Sequence, residues 1–179
     1  MRQIGVDFVA EVPRVDEDTQ EFGDAPPAVI SVELAKKKVQ QIADKYQEAV
    51  ILGADTIVVL EGRILGKPES ENEAREMLSL LSGRTHEVFT GFALLKLPEQ
   101  IWMTDVERTA VTFRSLSEQE IADYIQTGHP MDKAGAYGIQ DESALFVEKI
   151  EGCFYNVVGF PLSRFYQVCK AHFLTHNQE

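Results

Sequence analysis

The sequence predicts an α/β chain. Three observations carry that expectation. Residues 27–47 show an amphipathic helical pattern, and residues 50–60 form an apolar strand run around Gly53-Ala54-Asp55-Thr56. Residues 84–97 and 102–114 are both β-rich and are joined by Pro98-Glu99-Gln100, which predicts a long antiparallel hairpin. The pattern sets the class without setting the arrangement of the sheet.

The elements follow in order. Over residues 4–12, Val6, Phe8 and Ala10 alternate with Asp7, Val9 and Glu11, predicting a strand that Pro13 ends. Residues 14–27 are acidic and turn-rich, predicting a solvated loop. In residues 27–47, Val29, Val32, Ala35, Val39, Ile42 and Ala43 share one helical face, opposite Lys36, Lys37 and Asp44. Ser31 is the expected start of regular helix after a loose first turn. Residues 69–82 predict a second helix. Ser70 is its N-cap, Glu73 completes a capping box, and Ala74, Met77, Leu78 and Leu81 form its apolar face before Gly83. Ser117 is the expected N-cap of a third helix, with Glu118 and Glu120 in its first turn and Ile121, Tyr124 and Ile125 buried. Residues 145–150 and 153–158 flank Glu151-Gly152 and predict a hairpin. Pro161 opens a closing helix that buries Leu162, Phe165, Tyr166, Val168, Cys169 and Phe173, and residues 175–179 are expected to fray. His86, alone in a strand pattern, is expected to be structural.

Composition narrows the function classes. The 179 residues suit one domain, residues 1–179. The net charge of −12 argues against a nucleic-acid polymer as partner, but not against one small polyphosphate held by a local group of cations. No long uncharged apolar run suggests a membrane helix, and the N-terminus lacks a signal-peptide core, so a cytoplasmic location is expected. Cys153 and Cys169 have no metal-ligand spacing and are read as reduced thiols.

Two residue patterns point to chemistry. A carboxylate inside the apolar 50–60 run is costly to bury without a partner or a task, though a strand-end Asp capping a turn is the alternative. Lys67 stands between Gly66 and Pro68 on a stiff loop, as a phosphate-binding cation would. Asp55 and Lys67 flank the turn at Glu61-Gly62-Arg63, so both can face one cleft. Further on, Gly135 and Gly138 allow close approach of a ligand, and Gln140 offers a donor and an acceptor to a base edge. In the acidic 14–27 loop, any carboxylate is a candidate oxygen ligand for a hard cation.

G-A-D-T-I-V, G-K-P, L-S-G-R-T-H-E-V-F-T-G, D-K-A-G-A-Y-G-I-Q and N-V-V-G-F-P-L resemble, in order, the motifs of the Maf family of nucleoside triphosphate pyrophosphatases, also called septum-formation inhibitors. The D-K-A-G-A-Y-G-I-Q form is most similar to the branch acting on dTTP and UTP. The resemblance implies a long twisted mixed sheet with flanking helices, in two lobes around a cleft. It implies cleavage between the α and β phosphates to a monophosphate and pyrophosphate, with Mg²⁺ or Mn²⁺, in a homodimer. It singles out Glu17 as metal ligand, Lys38 (from L-A-x-x-K) and Lys67 as phosphate cations, Asp55 as general base, and Thr56 and Gln140 for base discrimination. Burial would raise the Asp55 pKa, while lysines or a metal would lower it, leaving its net direction open at this stage.

The family begins with a strand and an S-x-S-P-R-R loop that grips the triphosphate. Here Met1 falls where the following helix would already be under way. Two explanations are open, a start assigned too far downstream or a truncated paralogue. The intact downstream motifs favour the first, a natural protein that starts earlier and is active, with the 179-residue chain weakly active or inactive and one sheet edge left open. The competing class is a non-catalytic nucleotide-binding regulator of cell division.

Overall fold

The computed structural model describes residues 4–15, 17 and 19–171. Asp16, Asp18, Phe173 and the 175–179 tail therefore lie outside the described residues.

The α/β class holds. Helix α1 (Pro27–Ala43) leads into β1 (Ala49–Leu60) and β2 (Arg63–Leu65). Next come α2 (Glu71–Leu81), β3 (Thr85–Leu97), β4 (Ile101–Phe113), α3 (Glu118–Gln126), β5 (Val147–Glu151), α4 (Phe154–Val158) and α5 (Leu162–Cys169). Among the described residues the sheet order is β2-β1-β3-β4-β5. Every pairing is antiparallel, so no part of the expected mixed pairing falls within them. Short turns join β1 to β2 and β3 to β4, and such turns permit only antiparallel neighbours. Along 49–57, β1 has β3 on one side and no strand on the other among the described residues.

Residues 6–15 form no strand, contrary to their alternation. Val9 and Val12 are 84% and 92% exposed, and no strand among the described residues pairs with this stretch to bury the pattern. Helix α1 starts four residues before Ser31, with Pro27 at its first position, and stops at Ala43. The Ser31 hydroxyl donates to the Ala28 carbonyl inside the helix. The buried residues are Ile30, Ser31, Leu34, Ala35 and Val39, so Ala35 and Val39 are as expected, whereas Val29 is exposed and Val32, Ile42 and Ala43 are only partly buried. Helices α2 and α3 have their expected N-caps and buried residues. The capping box expected at Ser70 is only half formed, because the Glu73 carboxylate accepts from the Glu69 amide instead of the Ser70 amide. The full box forms at Ser117 and Glu120 on α3, where the sequence predicts only a cap. Residues 154–158 are helical rather than the second arm of a hairpin, because β4 already pairs β5 and Asn156 anchors α4 onto β3 and β4. Pro161 caps α5 rather than opening it, and Tyr166 faces solvent. Both cysteines are free thiols.

Successive β1 residues pack on opposite faces of the sheet. Ile57 and Val59 meet Ile30 and Leu34 of α1, whereas Val58 and Leu60 join a cluster with α2 and α3. The helix α1 reaches the sheet closely because Gly53 and Gly91 lie beneath it. A Cβ at Gly91 would sit 2.4 Å from the Ser31 carbonyl carbon.

His86 is structural, as expected. It is buried between the rings of Phe113 and Tyr137, and its Nε2 shares a 2.7 Å hydrogen bond with the Tyr137 hydroxyl. Burial pushes its imidazole down to about 4. The unfolded chain titrates this group near about 6.5 and so binds more protons between those values. Stability is therefore lost as pH falls through that window, by about 3 kcal/mol at about 1.4 kcal/mol per pKa unit. In His86→Gln the acid-side loss in urea unfolding, compared at about pH 7 and about pH 4, is expected to shrink by about that amount. An unchanged loss would assign it to other groups.

Candidate active site

A cleft of about 560 Å³ opens beside β1, a volume typical of small-molecule sites. All six residues singled out from the sequence line it: Glu17, Lys38, Asp55, Thr56, Lys67 and Gln140. Lys38 follows Ile30 and Leu34 at intervals of four, so it continues the buried row of α1 toward the sheet. Asp55 lies opposite Gly91 in the β1–β3 register, where the helix comes closest. Lys67 enters from the turn after β2. Its loop is tied to the far wall by the Gly135 amide, which donates to the Gly66 carbonyl at 2.9 Å.

Four charges alternate along one wall. Lys67 bonds Glu17 Oε2 at 2.6 Å, Glu17 Oε1 lies 2.7 Å from Lys38 Nζ, and Lys38 donates to Asp55 Oδ1 at 2.5 Å. Asp55 is 7% exposed. Its burial raises the carboxyl pKa above the ordinary carboxylate range, and the opposing pull of Lys38 does not cancel that. The direction left open by the residues alone is thus upward. Burial acts to lower Lys38, but Asp55 and Glu17 together outweigh it and hold the ammonium above its usual value. Burial acts to raise Glu17, but hydrogen bonds from Lys38 and Lys67 outweigh it and hold the carboxylate low. The cluster brings together a buried carboxylate with a raised pKa and two ammonium groups, an arrangement with the chemical capacity to accept a proton and to bind anionic oxygens.

The opposite wall is the 129–141 loop. Gln140 is exposed at its tip, next to Asp141. The loop is pinned around it. Tyr124 donates to Asp141 at 3.1 Å, the Gly138 amide donates to Ser143 Oγ at 3.1 Å, and the Ser143 amide donates to Asp141 Oδ1 at 2.9 Å. Lys133 Nζ donates to the His129 carbonyl and to Asp132, both at 2.6 Å. Sequence reasoning missed Lys133 and Asp141 as cleft residues. Lys133 stands in the D-K-A-G motif, where its charge beside a glycine loop was the available signal. It also missed Thr90 and Asn156, which connect to Thr56 through tertiary hydrogen bonds that no local spacing announces.

The fit of a divalent metal rests on Glu17. Among the described residues, no group of three or more His, Cys, Asp or Glu side chains is placed to hold an ion. Glu17 supplies one hard carboxylate at the cleft rim. Both of its oxygens lie on lysine ammoniums, at 2.7 Å from Lys38 and 2.6 Å from Lys67, so it could serve a hard cation only after those ammoniums move to another anion.

No helix among the described residues is long and apolar enough to cross a membrane. Residues 1–172 match the family described as Maf-like protein. The chain is 49% identical over 162 residues to a dTTP/UTP pyrophosphatase of Dictyoglomus turgidum, covering 90% of this chain and 83% of that protein. It is 48% identical over 155 residues to a dTTP/UTP pyrophosphatase of Carboxydothermus hydrogenoformans, covering 87% and 82%. It is 47% identical over 165 residues to one of Bacillus cytotoxicus, covering 92% and 84%. A family match over residues 1–172 and relatives of that identity and coverage make this chain a member of the Maf family.

Proposed function

We propose that this chain is a nucleoside triphosphate pyrophosphatase that hydrolyses dTTP and UTP to the monophosphate and pyrophosphate. The observation that carries the reading is the Lys67–Glu17–Lys38–Asp55 cluster, which puts a raised-pKa carboxylate and two ammoniums in one cleft. Lys38 and Lys67 turn from the carboxylates to the phosphates when the substrate arrives, since polyphosphate carries the larger charge. Asp55 takes the proton of the attacking water as its oxygen adds to phosphorus. The anhydride between the α and β phosphates breaks, and pyrophosphate leaves. Glu17 would hold the divalent metal, which neutralises phosphate charge when bound. Thr56 and Gln140 meet the base. The working unit is read as a cytoplasmic homodimer, and sedimentation tests the dimer.

The test is pyrophosphate release from a panel of nucleoside triphosphates with Mg²⁺ or Mn²⁺. It is run on the 179-residue chain and on a version extended upstream with an S-x-S-P-R-R segment. Cleavage of dTTP and UTP is the expected result. Release from neither form, on any nucleotide, would leave a binding protein. Gln140→Ala is expected to lower discrimination among bases by about tenfold, the scale of one lost hydrogen bond. An unchanged ranking of substrates would remove Gln140 from base recognition.

A further inference from the structure

Thr90 is buried in the sheet, and its hydroxyl donates to the Asn156 backbone carbonyl at 2.9 Å. A carbonyl can only accept, so the single Thr90 hydrogen is committed there. Thr90 Oγ1 also lies 2.8 Å from Thr56 Oγ1. With the Thr90 hydrogen spent, Thr56 must be the donor in that bond. The Thr56 hydroxyl hydrogen then points away from the cleft, and what remains for a ligand is a lone pair.

The terminus of this relay is held firmly. Asn156 is fully buried, and its side-chain amide donates to the Val88 carbonyl and to Thr109, both at 2.9 Å. The Asn156 carbonyl also accepts the Gly159 amide at 2.9 Å. Gly159 leaves space beside Thr56, because an added Cβ there would sit in van der Waals contact with Thr56 Oγ1, at 3.5 Å.

We infer that Thr90 and Asn156 are positioning residues that lock the Thr56 hydroxyl as a hydrogen-bond acceptor, so that the cleft selects the imide N3–H of uracil and thymine. The inference rests on the nucleotide reading above and deepens it. dTTP and UTP differ at the sugar and at the base 5-position but share one imide edge. That edge carries a donor between two carbonyls. Thr56 complements the donor, and the Gln140 amide can serve a flanking carbonyl. Cytosine presents a lone pair at N3, which would face another lone pair on Thr56. An unpaired polar contact of this kind discriminates more strongly than a lost methyl group.

The experiment is calorimetric binding of UMP, CMP and N3-methyl-UMP to the parent, Thr90→Val and Thr90→Ser. The parent is expected to bind UMP at least about tenfold tighter than either of the other two, the scale of one mispaired hydrogen bond. Thr90→Val removes the acceptor from Thr56, whose hydroxyl then turns to donate, so the preference for UMP over CMP falls to within about threefold. Thr90→Ser keeps the relay and the preference. Thr90→Ala carries the same expectation as Thr90→Val and serves if the valine variant does not fold. A folded Thr90→Val or Thr90→Ala variant with the parental preference overturns the relay. So does a parent that binds UMP and CMP equally, while leaving the hydrolase reading intact. A parent that binds no nucleotide removes the functional reading itself.

Discussion

Asp55→Asn will lower pyrophosphate release by roughly 10²- to 10⁴-fold, the range for a positioned general base. The substitution keeps the shape of the side chain and removes its ability to accept a proton. Folding will not suffer in parallel. A buried carboxylate with a raised pKa costs stability when ionised above that pKa, so neutralising it at pH 7 retains or adds stability. The Lys38 ammonium keeps Glu17 as a partner at 2.7 Å. Rate and urea unfolding measured side by side separate the two effects. Equal loss of both would mean that Asp55 is structural, and a retained rate would end its assignment as base. The pH profile adds a check. Because the Asp55 pKa is raised, the acid limb of kcat/KM is expected above the ordinary carboxylate range, with activity lost as pH falls through it. Lys38 opposes that rise, so Lys38→Met is expected to move the acid limb to higher pH on the activity that remains.

Gly91→Ala will unfold or badly weaken the chain, by roughly 3 kcal/mol or more, the upper range for overpacking. An added Cβ would lie 2.4 Å from the Ser31 carbonyl carbon and from the Val32 nitrogen. Both are backbone atoms of α1, so no side chain can swing aside. The helix must lift, and Lys38 lifts with it from Asp55. Any folded Gly91→Ala protein is thus expected to lose activity beyond its loss of stability. Gly66→Ala is the contrast, because an added Cβ there meets nothing within 4 Å. It is expected to stay within about 0.5 kcal/mol of the parent, as an ordinary surface change does. Urea midpoints of the two variants decide the matter. Similar midpoints would show that α1 is not tightly seated on the sheet.

Local chemistry was legible wherever it is decided by neighbours in sequence. The Ser70 and Ser117 caps, the apolar faces of α2 and α3, and the β3–β4 hairpin follow from short-range spacing, and all are present. The site residues were legible for a related reason. Asp55, Lys67 and Gln140 each break the pattern of the element around them, and the motifs that hold them are long. Other assignments needed partners that spacing does not reveal. Residues 6–12 alternate like a strand yet pair with no strand among the described residues. Residues 154–158 have strand-forming side chains, but β4 was already paired and Asn156 found its bonds on β3 and β4. The protonation of Asp55 depended on burial against a lysine 17 residues away, and the donor at Thr56 depended on a carbonyl at Asn156. Residue types and local order determined the class of fold, the caps and the list of reactive groups. Tertiary packing alone decided which of them touch, because burial and hydrogen-bond direction are properties of the contact rather than of the chain.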